Sequence, residues 1–335
     1  MINIAINGFG RIGRHAFKFA FINDNFNIVA INDLTDNKTL AHLLKYDSTY
    51  GGYDKEVGYD NENIVVDGKK IRVYEEKDPS KLPWADLDVD VVLECTGRFR
   101  TKELAEMHIT AGAKKVIISA PSKGDAPVPM YVRAVNCGKV GQEQATVINN
   151  ASCTTNCIAP VIAVLESKYG IEKAMMSTVH GYTADQNLQD GPHSDLRRAR
   201  AAAINIIPTT TGAAKAVGKV IPAMNGIFDG FAIRVPVPTV SLVDMTLLMK
   251  QDVTKEEVNN ALIEASKNSV YQGVLTTTED PIVSSDLVGS HYSSTVDLAL
   301  TNVVGGNLLK VVSWYDNESG YALRMVEMAG LYGKK

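Results

Sequence analysis

The apolar run Ile4-Ala5-Ile6 passes directly into Asn7-Gly8-Phe9-Gly10-Arg11-Ile12-Gly13. A strand that turns through G-x-G-x-x-G into a helix is an order few backbones satisfy. Gly8 permits the tight turn, Gly10 leaves room for a pyrophosphate against the backbone, and Gly13 lets helix and strand pack closely. Asp33 ends a second strand-like run, twenty residues after Gly13. A carboxylate there accepts hydrogen bonds from ribose hydroxyls and repels a 2′-phosphate, which favours NAD over NADP. Glycines and an aspartate also serve as plain turn formers. The strand before, the helix after and the acid at this distance favour the dinucleotide site.

The first half continues in the same manner. Ile2–Ile6, Ile28–Asn32, Val89–Leu93, Val116–Ser119 and Thr146–Asn149 read as strands, with Arg11–Phe21 and Thr101–Ala111 as intervening helices. Such alternation predicts parallel strands joined by right-handed crossovers. The stretch 57–74, with the turn Asp67-Gly68, reads as a hairpin excursion from that sheet. Beyond Cys153 the pattern changes. A helix is expected from Thr154 toward Tyr169, ended by Gly170 and disturbed by Pro160. Longer strands follow at Ala174–Val179, Phe231–Val237, Ser241–Met249 and Leu308–Trp314, and Asn317–Leu331 reads as a helix. The weakly periodic stretch Gly181–Arg200 is long for a connection, which favours a functional loop. The expected class is α/β: a Rossmann-type, doubly wound parallel sheet in residues 1–150, then an α+β catalytic domain, 151–316, on a mixed, largely antiparallel sheet. A chain of 335 residues is long enough for both cores.

Composition removes several functions. A net charge of −4 gives no bulk attraction for nucleic acid or anionic membrane as main partner. No apolar run approaches the roughly 20 residues of a membrane span, and no secretory signal is read before the first strand. Four cysteines are too few for a disulfide scaffold and suggest a reducing, cytoplasmic setting. They form no metal pattern with the histidines, so no metal is expected.

Chemistry concentrates around Asn149-Asn150-Ala151-Ser152-Cys153-Thr154-Thr155-Asn156-Cys157. A cysteine entering a helix among small polar residues sits where the dipole and free N–H groups favour thiolate, the nucleophilic form. Cys157, one turn on, reads as a small core residue. A thiol nucleophile needs a base. His180, closing the run Met175–Val179, is the best placed of six histidines. His15 and His108 are expected on surface helices. A partnership of His180 with Cys153 is an inference about space that spacing leaves open. The second half also holds groups suited to anions: Thr183, Arg198 within Asp195-Leu196-Arg197-Arg198-Ala199-Arg200, the turn Thr209-Thr210-Thr211-Gly212 before a helix, and Arg234 in an otherwise apolar strand. An unpaired charge in such a strand is costly, so Arg234 should meet an acid or an anionic ligand.

Along essentially its whole length the chain resembles the phosphorying glycolytic glyceraldehyde-3-phosphate dehydrogenases. The resemblance rests on the glycine turn, Asn32-Asp33-Leu34, Ser119-Ala120-Pro121, Ala151–Cys157, Leu196–Ala202, Ile207–Lys215 and Trp314-Tyr315-Asp316-Asn317-Glu318. It implies NAD-dependent oxidation of glyceraldehyde 3-phosphate to 1,3-bisphosphoglycerate, with Cys153 as nucleophile and thioester carrier and His180 as its ion-pair partner and base. It assigns the substrate phosphate to Thr183 and Arg234, and inorganic phosphate to Ser152, Thr154, Arg198, Thr211 and Gly212. It assigns cofactor contacts to Gly8, Gly10, Arg11, Ile12, Gly13, Asp33, Lys77, Ser119 and Asn317. It further implies that the terminal helix, 317–335, returns to the cofactor domain. The Gly181–Arg200 segment would then pack across the subunit interface of a homotetramer.

Three positions depart from the commoner pattern of that family. Ala134 stands where glycine is frequent, Gly181 where a small side chain is usual, and Gly191 where a bulkier apolar residue often helps reject NADP. Two other functions share the motifs: oxidation of erythrose 4-phosphate, and an NAD-binding scaffold that no longer catalyses.

Overall fold

In the computed structural model, which describes residues 1–142 and 144–334, the chain separates into two units. Lys335, where the expected terminal helix ends, lies outside the described residues.

The first unit comprises Met1–Tyr131, Cys137–Ala151 and the segment from Ala322 onward. Its sheet runs, edge to edge, Val147–Asn149, Lys115–Ile118, Val91–Glu94, Ile2–Asn7, Phe26–Asn32, Lys69–Tyr74, Asn63–Val66 and Val57–Tyr59. The first six strands pair in parallel and the last two antiparallel. Ile4, Ile6, Ile31, Val92, Leu93 and Ile117 are fully buried, as strands covered on both faces require. Strand order reverses direction at Ile2–Asn7, so a crevice opens past its carboxyl end, where the glycine turn lies. The excursion is the antiparallel meander expected. Asp67 and Gly68 both take positive φ, 46° and 79°, as a two-residue hairpin turn demands. Most of the helix Ser319–Gly333 belongs to this unit. Lys115 Nζ donates to Tyr332 O at 2.7 Å, and a Cβ on Gly333 would lie 2.9 Å from Ile2, so this helix packs closely on the sheet.

The second unit comprises Val132–Asn136 and Ser152–Tyr321. Its sheet order is Ile207–Thr210, Phe228–Val235, Ile171–Gly181, Ser241–Met249, Leu308–Tyr315, Ser294–Asp297 and Leu275–Thr278, with Asn302–Val304 beside Leu308–Tyr315. Two of these pairings are parallel and the others antiparallel. Helices Cys153–Tyr169, Ala213–Val220 and Lys255–Lys267 pack on it. The first is buried on nearly every side and continues across Pro160 without a break. Gly170 ends it at φ 70°. Lys255–Lys267 carries a full Thr254/Glu257 capping box that periodicity alone did not single out. No helix among the described residues is long and apolar enough to cross a membrane.

Two histidines differ from their expected placement. His15 and His108 are buried, His108 completely. His15 faces Tyr50 with ring centroids 4.4 Å apart, and His108 lies against Trp84, so both helices turn these faces inward.

Ala134, where glycine is frequent in the family resembled, has φ 66°. A left-handed backbone costs an L-residue about 1–2 kcal/mol, and glycine's extra chain entropy offsets part of that. Ala134→Gly is therefore expected to stabilise the protein by roughly 0.5–1 kcal/mol, read as a higher thermal midpoint. A lowered midpoint contradicts this account.

Candidate active site

Ser152 caps the helix that Cys153 begins. Its Oγ accepts from Thr155 N at 3.0 Å, satisfying one of the free N–H groups of the first turn. Thr155 Oγ1 donates to Ala213 O at 3.3 Å, tying this helix start to that of Ala213–Val220. Gly212 caps the latter, and Thr211 Oγ1 accepts from Ala213 N. Ser152, Cys153, Thr154, Thr211 and Gly212 are thus brought to one place by two helix N-termini.

The sheet delivers the base. His180 and Arg234 are register partners on the parallel strands Ile171–Gly181 and Phe228–Val235. His180 Nε2 lies 3.5 Å from Cys153 Sγ. Its Nδ1 lies 2.6 Å from Gly181 O, an acceptor, and 3.1 Å from Arg234 Nη1, a donor; the shorter contact, to the carbonyl, favours the proton on Nδ1, with the Nε2 lone pair turned to the thiol. Arg234 Nη1 donates to the same carbonyl and to Thr183 Oγ1, at 3.1 and 3.3 Å. Arg234 Nε is buried with no hydrogen-bond partner, and no carboxylate among the described residues lies within ion-pair distance of this guanidinium. Of the two partners expected for Arg234, an acid is therefore not at hand, which leaves an anionic ligand.

Arg198 is held differently. Its Nε donates to Thr209 Oγ1 at 2.9 Å, its Nη2 to Thr210 O at 3.1 Å, and its Nη1 pairs with Asp185. Asp195 accepts from Thr209. These carboxylates hold the cation in a set position while offsetting part of its charge.

Electrostatics favour a neutral resting pair. Burial pushes the Cys153 thiol up, and Arg234 pulls it back in part. His180 is lowered to about 3, first by burial and then by Arg234. The 3.5 Å contact gives the thiol proton an acceptor at Nε2, and transfer along it leaves the net charge of the buried pair unchanged. Burial thus offsets the thiolate preference expected of the helix start, and the ion pair implied by the resemblance forms only on that transfer. Cys157, fully buried, is raised to about 12.

These shifts carry a stability consequence. Folded His180 and His15 each titrate near 3, whereas an unfolded histidine titrates near 6.5. Below pH 6.5 the unfolded chain binds protons that the folded chain refuses, so stability falls as pH drops from about 6.5 toward 3. Between pH 6.5 and 5 each site contributes up to about 1.4 kcal/mol per pH unit. Denaturant unfolding at several pH values should show this slope, and His15→Gln should remove about one proton equivalent from it. An unchanged slope contradicts the assignment.

Several supporting residues were invisible to motif reading. Tyr315 Oη bonds Thr154 Oγ1 and Thr178 Oγ1 at 2.8 and 2.9 Å, and its ring stands edge-on to His180. The hydroxyls of Thr154 and Ser152 are thus engaged inside the protein. Ser241 Oγ accepts from Gly181 N at 3.2 Å and donates to Asn317 Oδ1 at 2.9 Å, fixing the Asn317 amide. Tyr315 lies within the Trp314–Glu318 motif, which by itself points to no task for it. Gly181 is explained by its surroundings: a Cβ would lie 2.9 Å from Val237 O.

The first unit holds a cavity of about 630 Å³ lined by Asn7, Gly8, Gly10, Asn32, Asp33, Leu34, Thr35, Glu76, Lys77, Cys95, Thr96, Arg98 and Phe99. That volume suits a cofactor. Gly8, at φ 90°, approaches Thr96 N so closely that a Cβ would lie 2.7 Å away, while nothing lies within 4 Å of a Cβ built on Gly10. The turn is therefore closed below and open at the helix start, as a pyrophosphate requires. Gly13 abuts the Gly8 carbonyl. Asp33 Oδ2 accepts from Phe9 N at 2.7 Å and Oδ1 from Thr35 N at 3.0 Å, so the acid also braces the turn. The Arg11 side chain pairs with Asp47 at 2.6 Å. Arg11, Ile12 and Ser119 are not among the cavity-lining residues, and Asn317 belongs to the second unit.

Comparison with known proteins matches both parts of the chain to one family. Residues 2–102 match the family model described as glyceraldehyde 3-phosphate dehydrogenase, NAD binding domain, and residues 152–317 match its C-terminal domain. The glyceraldehyde-3-phosphate dehydrogenase of Geobacillus stearothermophilus is 52% identical over 334 residues, covering 100% of this chain and 99% of the relative. That of Priestia megaterium is 53% identical over 328 residues, covering 98% and 97%. Glyceraldehyde-3-phosphate dehydrogenase 1 of Candida glabrata is 49% identical over 336 residues, covering both chains fully.

Proposed function

Because the chain belongs to the glyceraldehyde 3-phosphate dehydrogenase family, we propose that it oxidises glyceraldehyde 3-phosphate to 1,3-bisphosphoglycerate in glycolysis, with Cys153 and His180 as its catalytic residues. The observation that carries this reading is the Cys153–His180 contact at 3.5 Å beside an Arg234 guanidinium with no acidic partner among the described residues.

Cys153 Sγ, its proton passed to His180 Nε2, attacks the aldehyde carbon. Thr183 and Arg234 bind the substrate's phosphate, placing that carbon at the thiol. His180 returns that proton to the carbonyl oxygen, and then takes it back from the resulting hydroxyl as the carbon is oxidised, leaving an acyl thioester on Cys153. Bound NAD supplies the hydride acceptor. Inorganic phosphate, held by Ser152, Thr154, Arg198, Thr211 and Gly212, attacks the thioester carbonyl, and the Cys153 thiolate leaves. Gly8, Gly10, Gly13, Asp33 and Lys77 hold the cofactor, with Arg11, Ile12, Ser119 and Asn317 completing its contacts. Residues 1–150 with the terminal helix form the NAD domain and 151–316 the catalytic domain.

A homotetramer fits the long Gly181–Arg200 segment together with the residues that lead to the strand Ile207–Thr210. This stretch leaves Leu188, Leu196, Ile204 and Ile206 more than two-thirds exposed, which a lone subunit rarely tolerates in one region. Sparing use of cysteine fits a cytoplasmic setting.

The test is NADH absorbance with glyceraldehyde 3-phosphate, with and without phosphate, comparing NAD with NADP. Sustained, phosphate-dependent turnover preferring NAD is expected. Better turnover of erythrose 4-phosphate without phosphate dependence reverses the assignment.

A further inference from the structure

The carboxylate of Glu94 is buried, 1% exposed, beneath the glycine turn, and no step above uses it. All four of its neighbours donate. Thr96 N, at 2.8 Å, and Thr96 Oγ1 reach Oε1. Asn7 Nδ2, at 2.5 Å, and His108 Nε2, at 3.2 Å, reach Oε2. The histidine has no choice of tautomer: Trp84 Nε1, a donor only, reaches His108 Nδ1 at 3.0 Å, so the ring proton sits on Nε2 and faces Glu94. The contacts then continue across the sheet. Asn7 Oδ1 accepts from Asn32 Nδ2 at 2.7 Å, and Asn32 exchanges hydrogen bonds with the Glu76 backbone in both directions at 2.9 Å. Glu94, Asn7 and Asn32 end three neighbouring parallel strands, and Glu76 follows the fourth, Lys69–Tyr74. Asn7, Asn32, Glu76 and Thr96 also line the 630 Å³ cavity.

We propose that Glu94 is a positioning residue that anchors a side-chain lacing, Thr96–Glu94–Asn7–Asn32–Glu76, and that this lacing sets the spacing of four strand ends to fit a dinucleotide. The proposal rests on the assignment of this crevice to NAD. Its strict polarity makes it testable. Glutamine has the shape of glutamate, but whichever way its amide turns, an NH₂ faces fixed donors, either Thr96 N or Asn7 and His108. The Trp84 indole blocks the one relief, a shift of the ring proton from Nε2 to Nδ1.

NAD binding to the full-length protein is measured by titration calorimetry, with Cys153 alkylation by iodoacetamide as an independent readout on the other unit. Glu94→Gln should weaken NAD binding roughly 10- to 100-fold, the scale of a charged hydrogen bond lost with buried donors left unpaired, and leave alkylation unchanged. Trp84→Phe alone should stay within about threefold. Added to Glu94→Gln, it should recover part of the affinity, because the imidazole can then accept while Asn7 Nδ2 still opposes the amide. Asn32→Ser, which leaves Glu94 untouched, should weaken binding roughly three- to tenfold, and it decides the matter if Glu94→Gln does not fold. No NAD binding by the wild-type protein overturns the NAD assignment and the proposal together. Tight wild-type binding that Glu94→Gln and Asn32→Ser leave within twofold overturns the lacing alone. So does a loss in Glu94→Gln that Trp84→Phe does not relieve and Asn32→Ser does not reproduce.

Discussion

Cys153→Ser is expected to abolish NADH formation, by roughly 10⁴-fold or more, while NAD affinity stays within about twofold. The hydroxyl is a far weaker nucleophile, and its shorter bond to Cβ moves it further from an Nε2 already 3.5 Å away. Burial, which already opposes ionisation of the thiol, opposes an alkoxide more strongly. The fold should survive, since the helix keeps its Ser152 cap and the change is nearly isosteric. The NAD cavity has no lining residue from the Cys153 segment, so calorimetric NAD binding should persist. Near-normal turnover by this variant would remove the covalent route.

The second large effect belongs to His180. His180→Asn should lower kcat roughly 10²- to 10⁴-fold, the usual worth of a positioned general base. It should also change the thiol itself. In the wild type the Cys153 proton has an acceptor at 3.5 Å whose orientation Gly181 O fixes. In the variant that acceptor is gone, and burial alone governs ionisation. Iodoacetamide alkylation of Cys153 should therefore slow at pH 7 and recover only at higher pH. A variant with an unchanged alkylation profile would show that His180 does not receive the thiol proton.

Motifs carried the nucleotide half a long way. The helix Arg11–Phe21 has the bounds its glycine turn predicted, and Asp67-Gly68 marked a hairpin turn that φ angles of 46° and 79° bear out. Both are local: a few residues of special stereochemistry dictate them. His108 shows what locality omits. Its helix looked like a surface one, yet Trp84 and Glu94, distant in sequence, make it a buried relay. In the second unit Cys153 was legible from its helix start. The strand register that sets His180 beside Arg234 was not, because pairing partners leave no trace in either segment alone. Arg234 still announced itself as a charge in an apolar strand. Tyr315, Thr178 and Ser241 act through tertiary hydrogen bonds and look like ordinary strand residues.

If Cys153 carries the acyl group between oxidation and phosphorylation, the acylated protein should accumulate when phosphate is withheld. Rapid mixing of the protein with NAD and glyceraldehyde 3-phosphate, without phosphate, followed by mass analysis of peptides, tests it most directly. A burst of about one NADH per active site is expected, with an acyl adduct on the peptide bearing Cys153 that is released when phosphate is added. Sustained turnover without phosphate, or an adduct on any other residue, would contradict it.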